Sequence, residues 1–159
     1  MAEKSQKTNA MRILDQKKIP YRANFYQCGE FIDAVHIADM LCQPYAQTYK
    51  TLVSTGKSGK YYVFVIPIAK ELNLKAAAKS VNEKSVELLH VKDLKEVTGY
   101  IRGGCTAIGM KKSYPTVIDN SCLAFDEIII SGGALGVQIF IAPADFIRAT
   151  QAKTEHIIL

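Results

Sequence analysis

The run Tyr61-Tyr62-Val63-Phe64-Val65-Ile66 is almost unbrokenly apolar and rich in β-branched and aromatic residues. A strand with one wet face alternates apolar and polar side chains, so an unbroken run predicts a strand covered on both faces. Just before it lie a second β-prone run, Tyr49 to Ser54, and a turn from Gly56 to Gly59. That spacing predicts a hairpin. Pro67 ends the strand, because proline cannot donate to a ladder.

The rest of the chain is read around this hairpin. Residues 5 to 18 carry an apolar stripe of Ala10, Met11, Ile13 and Leu14 with Thr8 or Asn9 as cap, and predict a helix. Ile19-Pro20 breaks out of it, and Tyr21 to Gln27 reads as a strand. Phe31 to Leu41 predicts a second helix, with Phe31, Ala34, Val35, Ala38 and Leu41 on one side. Glu71 to Lys79 and Lys92 to Val97 read as short helices, the latter stopped by Gly99, and Ser85 to Leu89 as a strand between them. Thr116 to Asp119, Ile128 to Ile130 and Gly136 to Ile141 read as further strands, with a turn or short helical piece over Asn120 to Ala124. Pro143 and Asp145 open a last helix that runs to about Gln151. Several strands are joined by turns too short for a crossover helix. The expected class is therefore α+β, with a mixed, largely antiparallel sheet, curved or barrel-like, and helices outside it.

A length of 159 residues fits one domain with a real core, and none of the chain reads as a linker, so residues 1–159 are expected to form one unit. There is no apolar span of membrane length and no signal-like start, which predicts a cytosolic protein. The net charge of +5 is compatible with a polyanionic partner without requiring one. The four cysteines form no C-x-x-C pair and the three histidines are scattered, so no metal site is expected.

Two glycine-rich stretches stand out. One is Gly99-Tyr100-Ile101-Arg102-Gly103-Gly104-Cys105-Thr106-Ala107-Ile108-Gly109, and the other is Ser131-Gly132-Gly133-Ala134-Leu135-Gly136. Glycine weakens regular elements, so such clusters mark either plain turns or backbone that comes close to a ligand and offers bare N–H groups. On the second alternative the two stretches are facing walls of one pocket. No phosphate loop of the G-x-x-x-x-G-K-[ST] kind, no G-x-G-x-x-G and no G-x-S-x-G occurs. A pairing of Cys105 with His36 or His90 is open arithmetically but has no support in spacing. Lys50 remains, beside Thr51 at the head of a β-run. It is either a solvated lysine guarding a sheet edge or a cation facing a pocket, where it would hold a phosphate or polarise a carbonyl.

Lys50-Thr51-Leu52, then Thr98-Gly99-Tyr100 through Gly103-Gly104-Cys105 to Ile108-Gly109-Met110-Lys111-Lys112, then Ser131-Gly132-Gly133 occur in this order before the successive strands. This arrangement resembles the YbaK-type aminoacyl-tRNA deacylases, relatives of the editing domain of prolyl-tRNA synthetase, and within them the branch that clears Cys-tRNA(Pro). The resemblance extends over almost the whole chain. It implies hydrolysis of the ester between an amino acid and the 3′ end of tRNA, with no cofactor, and prolyl-tRNA synthetase as a partner. By the same resemblance Lys50 is the key residue, with the glycine pair Gly103 and Gly104 as a source of backbone donors. Tyr26, Phe31, Thr51, Cys105, Ser131 and Gly132 would contact substrate, and the substrate's own thiol would act as nucleophile.

Two departures are visible. Relatives often have G-G-C-S-P-I-G where this chain has Thr106-Ala107, and Lys-Arg after S-G-G where it has Ala134-Leu135. The first frees a backbone φ in the wall, and the second removes two positive charges. Two other readings compete: a non-catalytic module that binds aminoacyl-tRNA or a nucleotide, and a thiol redox protein using Cys28 with Cys42 or Cys105.

Overall fold

The computed structural model describes residues 7–159. Its elements in chain order are α1 (Asn9–Gln16), β1 (Arg22–Phe25), α2 (Ala34–Met40), a 3-10 turn (Tyr45–Gln47), β2 (Tyr49–Gly56), β3 (Tyr61–Pro67) and α3 (Leu74–Ser80). There follow β4 (Val86–Leu88), α4 (Val91–Thr98), β5 (Thr116–Asp119), a second 3-10 turn (Asn120–Ala124), β6 (Ile128–Ser131), β7 (Val137–Ile141), α5 (Pro143–Thr150) and β8 (Lys153–Glu155).

β3 is the centre, as its composition requires. Val63, Phe64, Val65 and Ile66 are all fully buried. Val63 and Val65 face one core, with Leu14 of α1, Ile118, Ile128, Ile139 and Phe146 of α5. Tyr62, Phe64 and Ile66 face the other, with Ala77 and Ala78 of α3, Val117 and Ile157. The two-residue period of a strand thus feeds two cores at once, each side chain contributing about 1.5–3 kcal/mol.

β2 and β3 form the expected antiparallel hairpin, Lys50 opposite Ile66 and Thr55 opposite Tyr61. Among the described residues there are two sheets, ordered β4-β2-β3-β5-β8 and β1-β7-β6. The β3–β5 and β5–β8 pairs are parallel and the others antiparallel. The sheet system is therefore mixed, as expected, but it does not close into a barrel. β4 occupies the free edge of β2 only at Ser54 to Gly56. Nearer its start, β2 approaches β6, and a single bridge from Thr48 to Ile129 links the two sheets.

Two helices start later than expected, and one strand was not foreseen. The first helix starts at Asn9 because Thr8 caps it, its hydroxyl oxygen accepting from Met11 N at 3.3 Å; residues 5 and 6 lie outside the described residues. The second helix starts at Ala34, since Asp33 accepts from His36 N and fixes the start there. Phe31 is thereby left in an extended segment, 40% exposed, rather than on a helix face. The strand is β8, which its sequence did not announce. Lys153 and Glu155 are exposed, and the strand is held by its backbone pairing to β5 and by buried Ile157 beyond it.

Candidate active site

The seam where the two sheets fail to close holds a cavity of about 430 Å³. Lys50 and Thr51 of β2 form one wall, and Ile130, Ser131, Val137 and Gln138 of β6 and β7 face them. The extended segment from Phe31 to the start of α2 lies along the rim, with Arg102, Gly103 and Cys105 of the first glycine stretch. The cavity is within the size range of small-ligand sites. Its position follows from the topology: the β2 edge that β4 leaves uncovered is the edge that opens into it.

Lys50 is half-buried, and among the described residues no carboxylate lies within ion-pairing distance of its ammonium. Burial pulls its pKa below the ordinary lysine value, and the Glu71 carboxylate opposes this. A partly desolvated cation without a counter-ion is a site for an anion or a developing negative charge. Strand alternation puts Thr51 on the same face as Tyr49 and Val53, and Lys50 on the face of Leu52. Both still line the cavity, because the seam lies at the end of the sheet.

The two glycine stretches do meet. A Cβ on Gly104 would stand 3.0 Å from the Ala134 Cα, and one on Gly103 would stand 2.8 Å from a Leu135 methyl and 3.1 Å from the Phe31 ring. Only one residue of each expected glycine–serine set faces the cavity. Gly103 lines it, with φ +85°, whereas Gly104 is buried and spends its N–H on Ile101 O at 3.0 Å. Ser131 lines it, whereas Gly132 is buried and donates to Val137 O at 2.8 Å to close the β6–β7 turn. Gly104 and Gly132 therefore let backbone approach backbone behind the wall.

Tyr26 lines the cavity half-buried, and burial raises its pKa. Cys105 is buried in the wall, and burial pushes its thiol up to about 12. A thiol so raised stays protonated at neutral pH and is inert as a nucleophile. Neither His36 nor His90 lines the cavity; His36 Nδ1 is 2.7 Å from Asp33 at the exposed start of α2. Among the described residues no group of three histidines, cysteines or carboxylates is placed to share a metal ion. No helix of the described residues is long and apolar enough to cross a membrane.

Two cavity residues were missed at the level of sequence. Arg102 lays its guanidinium over the Phe31 ring, 4.0 Å from the centroid, so cation and aromatic face form one platform at the rim. Gln138 is buried in β7, and its amide is locked. Oε1 accepts from Asn24 at 3.2 Å and from Gln43 at 2.8 Å, while Nε2 donates to Gln43 Oε1 at 2.9 Å. The signal for Gln138 was present, as the one polar residue within the run Val137-Gln138-Ile139-Phe140-Ile141.

Known proteins are similar to this chain in sequence and in architecture. Residues 32–149 match the model of the family described as "Aminoacyl-tRNA editing domain". The chain is 42% identical over 160 residues to an Enterococcus faecalis protein described as "Putative Cys-tRNA(Pro)/Cys-tRNA(Cys) deacylase EbsC", covering 99% of this chain and 98% of that one. Among solved structures, one described as "hypothetical protein APE2540" superposes with a TM-score of 0.87 at 21% identity, over 95% of this chain and 99% of that one. Another, described as "a putative trans-editing enzyme for prolyl tRNA synthetase", gives 0.82 at 20% identity, over 98% and 99%. At such identities these two structures speak for the fold. The family match spans most of the chain, including every cavity-lining residue except Tyr26 and Phe31, and the chain belongs to the aminoacyl-tRNA editing domain family.

Proposed function

We propose that the protein is a trans-editing deacylase that hydrolyses the ester of mischarged tRNA, with Cys-tRNA(Pro) as its substrate. The observation that carries this reading is the half-buried Lys50, without an ion-pair partner among the described residues, across one small cavity from the exposed Gly103. The Enterococcus faecalis relative, described as a putative deacylase of Cys-tRNA(Pro) and Cys-tRNA(Cys), supports the substrate.

Lys50 holds the terminal adenosine or its phosphate and orients the ester. The Gly103 N–H faces the ester carbonyl and stabilises negative charge as it grows on that oxygen. Phe31 and Arg102 form the platform at the rim, and Tyr26, Thr51, Ser131 and the Cys105 wall bound the amino-acid side chain. The nucleophile belongs to the substrate. Its thiol sulfur attacks its own carbonyl carbon, the C–O bond to the ribose breaks, and the departing ribose oxygen takes the thiol proton. Water then opens the resulting thiolactone to free cysteine. Holding the reacting atoms together supplies the rate without a protein nucleophile. Prolyl-tRNA synthetase would supply the mischarged tRNA in the cytoplasm.

The test is hydrolysis of labelled Cys-tRNA(Pro), Ala-tRNA(Pro) and Pro-tRNA(Pro) by the wild type. The expected result is rapid loss of cysteine and little loss of alanine or proline, since those two lack a thiol. Equal loss of alanine would contradict substrate-thiol chemistry, and loss of none would contradict the function.

A further inference from the structure

A second cavity, of about 690 Å³, lies beside the first. Tyr26 and Val137 belong to both. The β1–β7 ladder ends at the pair Phe25–Val137, and the Tyr26 N–H then donates to Gly136 O at 2.9 Å. That strand end is the ridge between the two spaces. On one side of the second cavity stand Lys7 and Arg12 from α1 and the residues leading into it. On the other is the loop from Gly133 to Gly136, whose Ala134 and Leu135 carry no charge. The lining holds two cations and the amides of Asn9 and Gln27, but no carboxylate. Lys7 pairs with Asp15, while among the described residues Arg12 has no carboxylate within ion-pairing distance.

We propose that this second cavity is the subsite for the phosphodiesters immediately 5′ of the terminal nucleotide, so that its ligand is a short single-stranded polynucleotide segment. The proposal rests on the reading of the first cavity as the seat of the aminoacylated end. A polynucleotide whose end sits in the first cavity has to leave it as a polyanion. This space shares two wall residues with that cavity, and its lining holds no acid and one cation, Arg12, that has no carboxylate partner among the described residues. Arg12 presents a fork of N–H donors suited to phosphate oxygens. The charge absent from Ala134 and Leu135 is supplied from the facing side, by α1.

The experiment compares three substrates that carry the same ester on nucleic acid of increasing length: cysteinyl-adenosine, the cysteinylated terminal trinucleotide, and Cys-tRNA(Pro). Arg12→Ala is expected to raise KM about tenfold for the trinucleotide and the tRNA, the loss of one charge-assisted contact. Its kcat should hold, and its kinetics on cysteinyl-adenosine should match the wild type. Arg12→Lys, which keeps the charge but not the fork, should recover only part of the loss. The salt dependence of log KM for the trinucleotide should become shallower by about 0.7 for each phosphate contact removed. An equal loss on cysteinyl-adenosine would make Arg12 a structural residue and overturn the proposal. So would a loss seen only with whole tRNA, or only in association with prolyl-tRNA synthetase. Titration of the uncharged trinucleotide against adenosine monophosphate separates this subsite from the deacylase reading. If the wild type hydrolyses nothing, the deacylase reading fails. If the trinucleotide binds no tighter than the mononucleotide, the subsite fails.

Discussion

Gly104 and Gly103 adjoin in sequence and do different work. A side chain at Gly104 meets main chain, the Ala134 backbone at 3.0 Å, which cannot rotate away. A side chain at Gly103 meets the movable ends of Leu135 and Phe31, but at a φ of +85° that a side chain resists. Gly104→Ala is expected to push the two glycine walls apart and destabilise the fold by about 1–3 kcal/mol, the usual cost of overpacking. Gly103→Ala is expected to cost about 1–2 kcal/mol through backbone strain and, on the proposed mechanism, to lower activity further by re-aiming the N–H assigned to the ester carbonyl. Urea denaturation together with kcat/KM separates them: a Gly103→Ala enzyme with full activity would remove that N–H from the mechanism. This distinction was not legible in the sequence. Glycine pairs announce close approach, but not which of two adjacent N–H groups a turn consumes. Lys50 was legible only through its resemblance to a known motif, since a lone lysine at a strand start is most often an edge guard.

At the scale of elements, the hairpin and the two-faced burial of β3 could be read directly, because Val63 to Ile66 leave a strand no wet face. β5 and the 3-10 turn after it were also legible from Thr116-Val117-Ile118-Asp119 and its sequel. β8 was not, since Lys153-Thr154-Glu155 shows no apolar pattern and its strand geometry comes from pairing with β5 and from the buried segment after it. Its anchor is Asp119, fully buried, whose carboxylate accepts from Ser121 N at 3.1 Å and Ile157 N at 2.9 Å. Asp119→Ala would strand the Ile157 donor in the core and leave the half-buried Ser121 N–H without its partner, at a cost of about 1–3 kcal/mol. Hydrogen exchange should then speed up across 153–157 while β3 stays protected. Unchanged exchange there would show that the β5 ladder alone holds the strand.

For the whole molecule, the buried acids set an alkaline limit. Burial raises the Cys105 thiol from 9.0 to about 12 and the Cys122 thiol from 9.0 to about 11. Tyr49 and Tyr100 are raised from 10.0 to about 12, also by burial. In each case the unfolded chain loses its proton first. The stability held by the neutral buried form is fully present below the unfolded pKa and is lost as pH climbs toward the folded one. The melting temperature should therefore fall as pH rises above 9, over the interval in which these groups ionise in the unfolded chain. Cys105→Ala should flatten that fall, and an unaltered slope would show that the thiol is not held in a dry wall.

An incompletely closed pair of sheets leaves a seam lined by Lys50, and in the proposed function Lys50 binds the aminoacylated end of tRNA there and orients its ester. The most direct measurement is single-turnover hydrolysis of Cys-tRNA(Pro) by the wild type and by Lys50→Ala, with folding of the variant checked by its melting temperature. Lys50→Ala should fold at least as well as the wild type, since it removes a half-buried charge that has no ion-pair partner among the described residues. Its rate should fall by about a hundredfold or more, the usual effect of removing a group that stabilises developing charge. A Lys50→Ala protein that melts normally and clears cysteine at the wild-type rate would contradict the account.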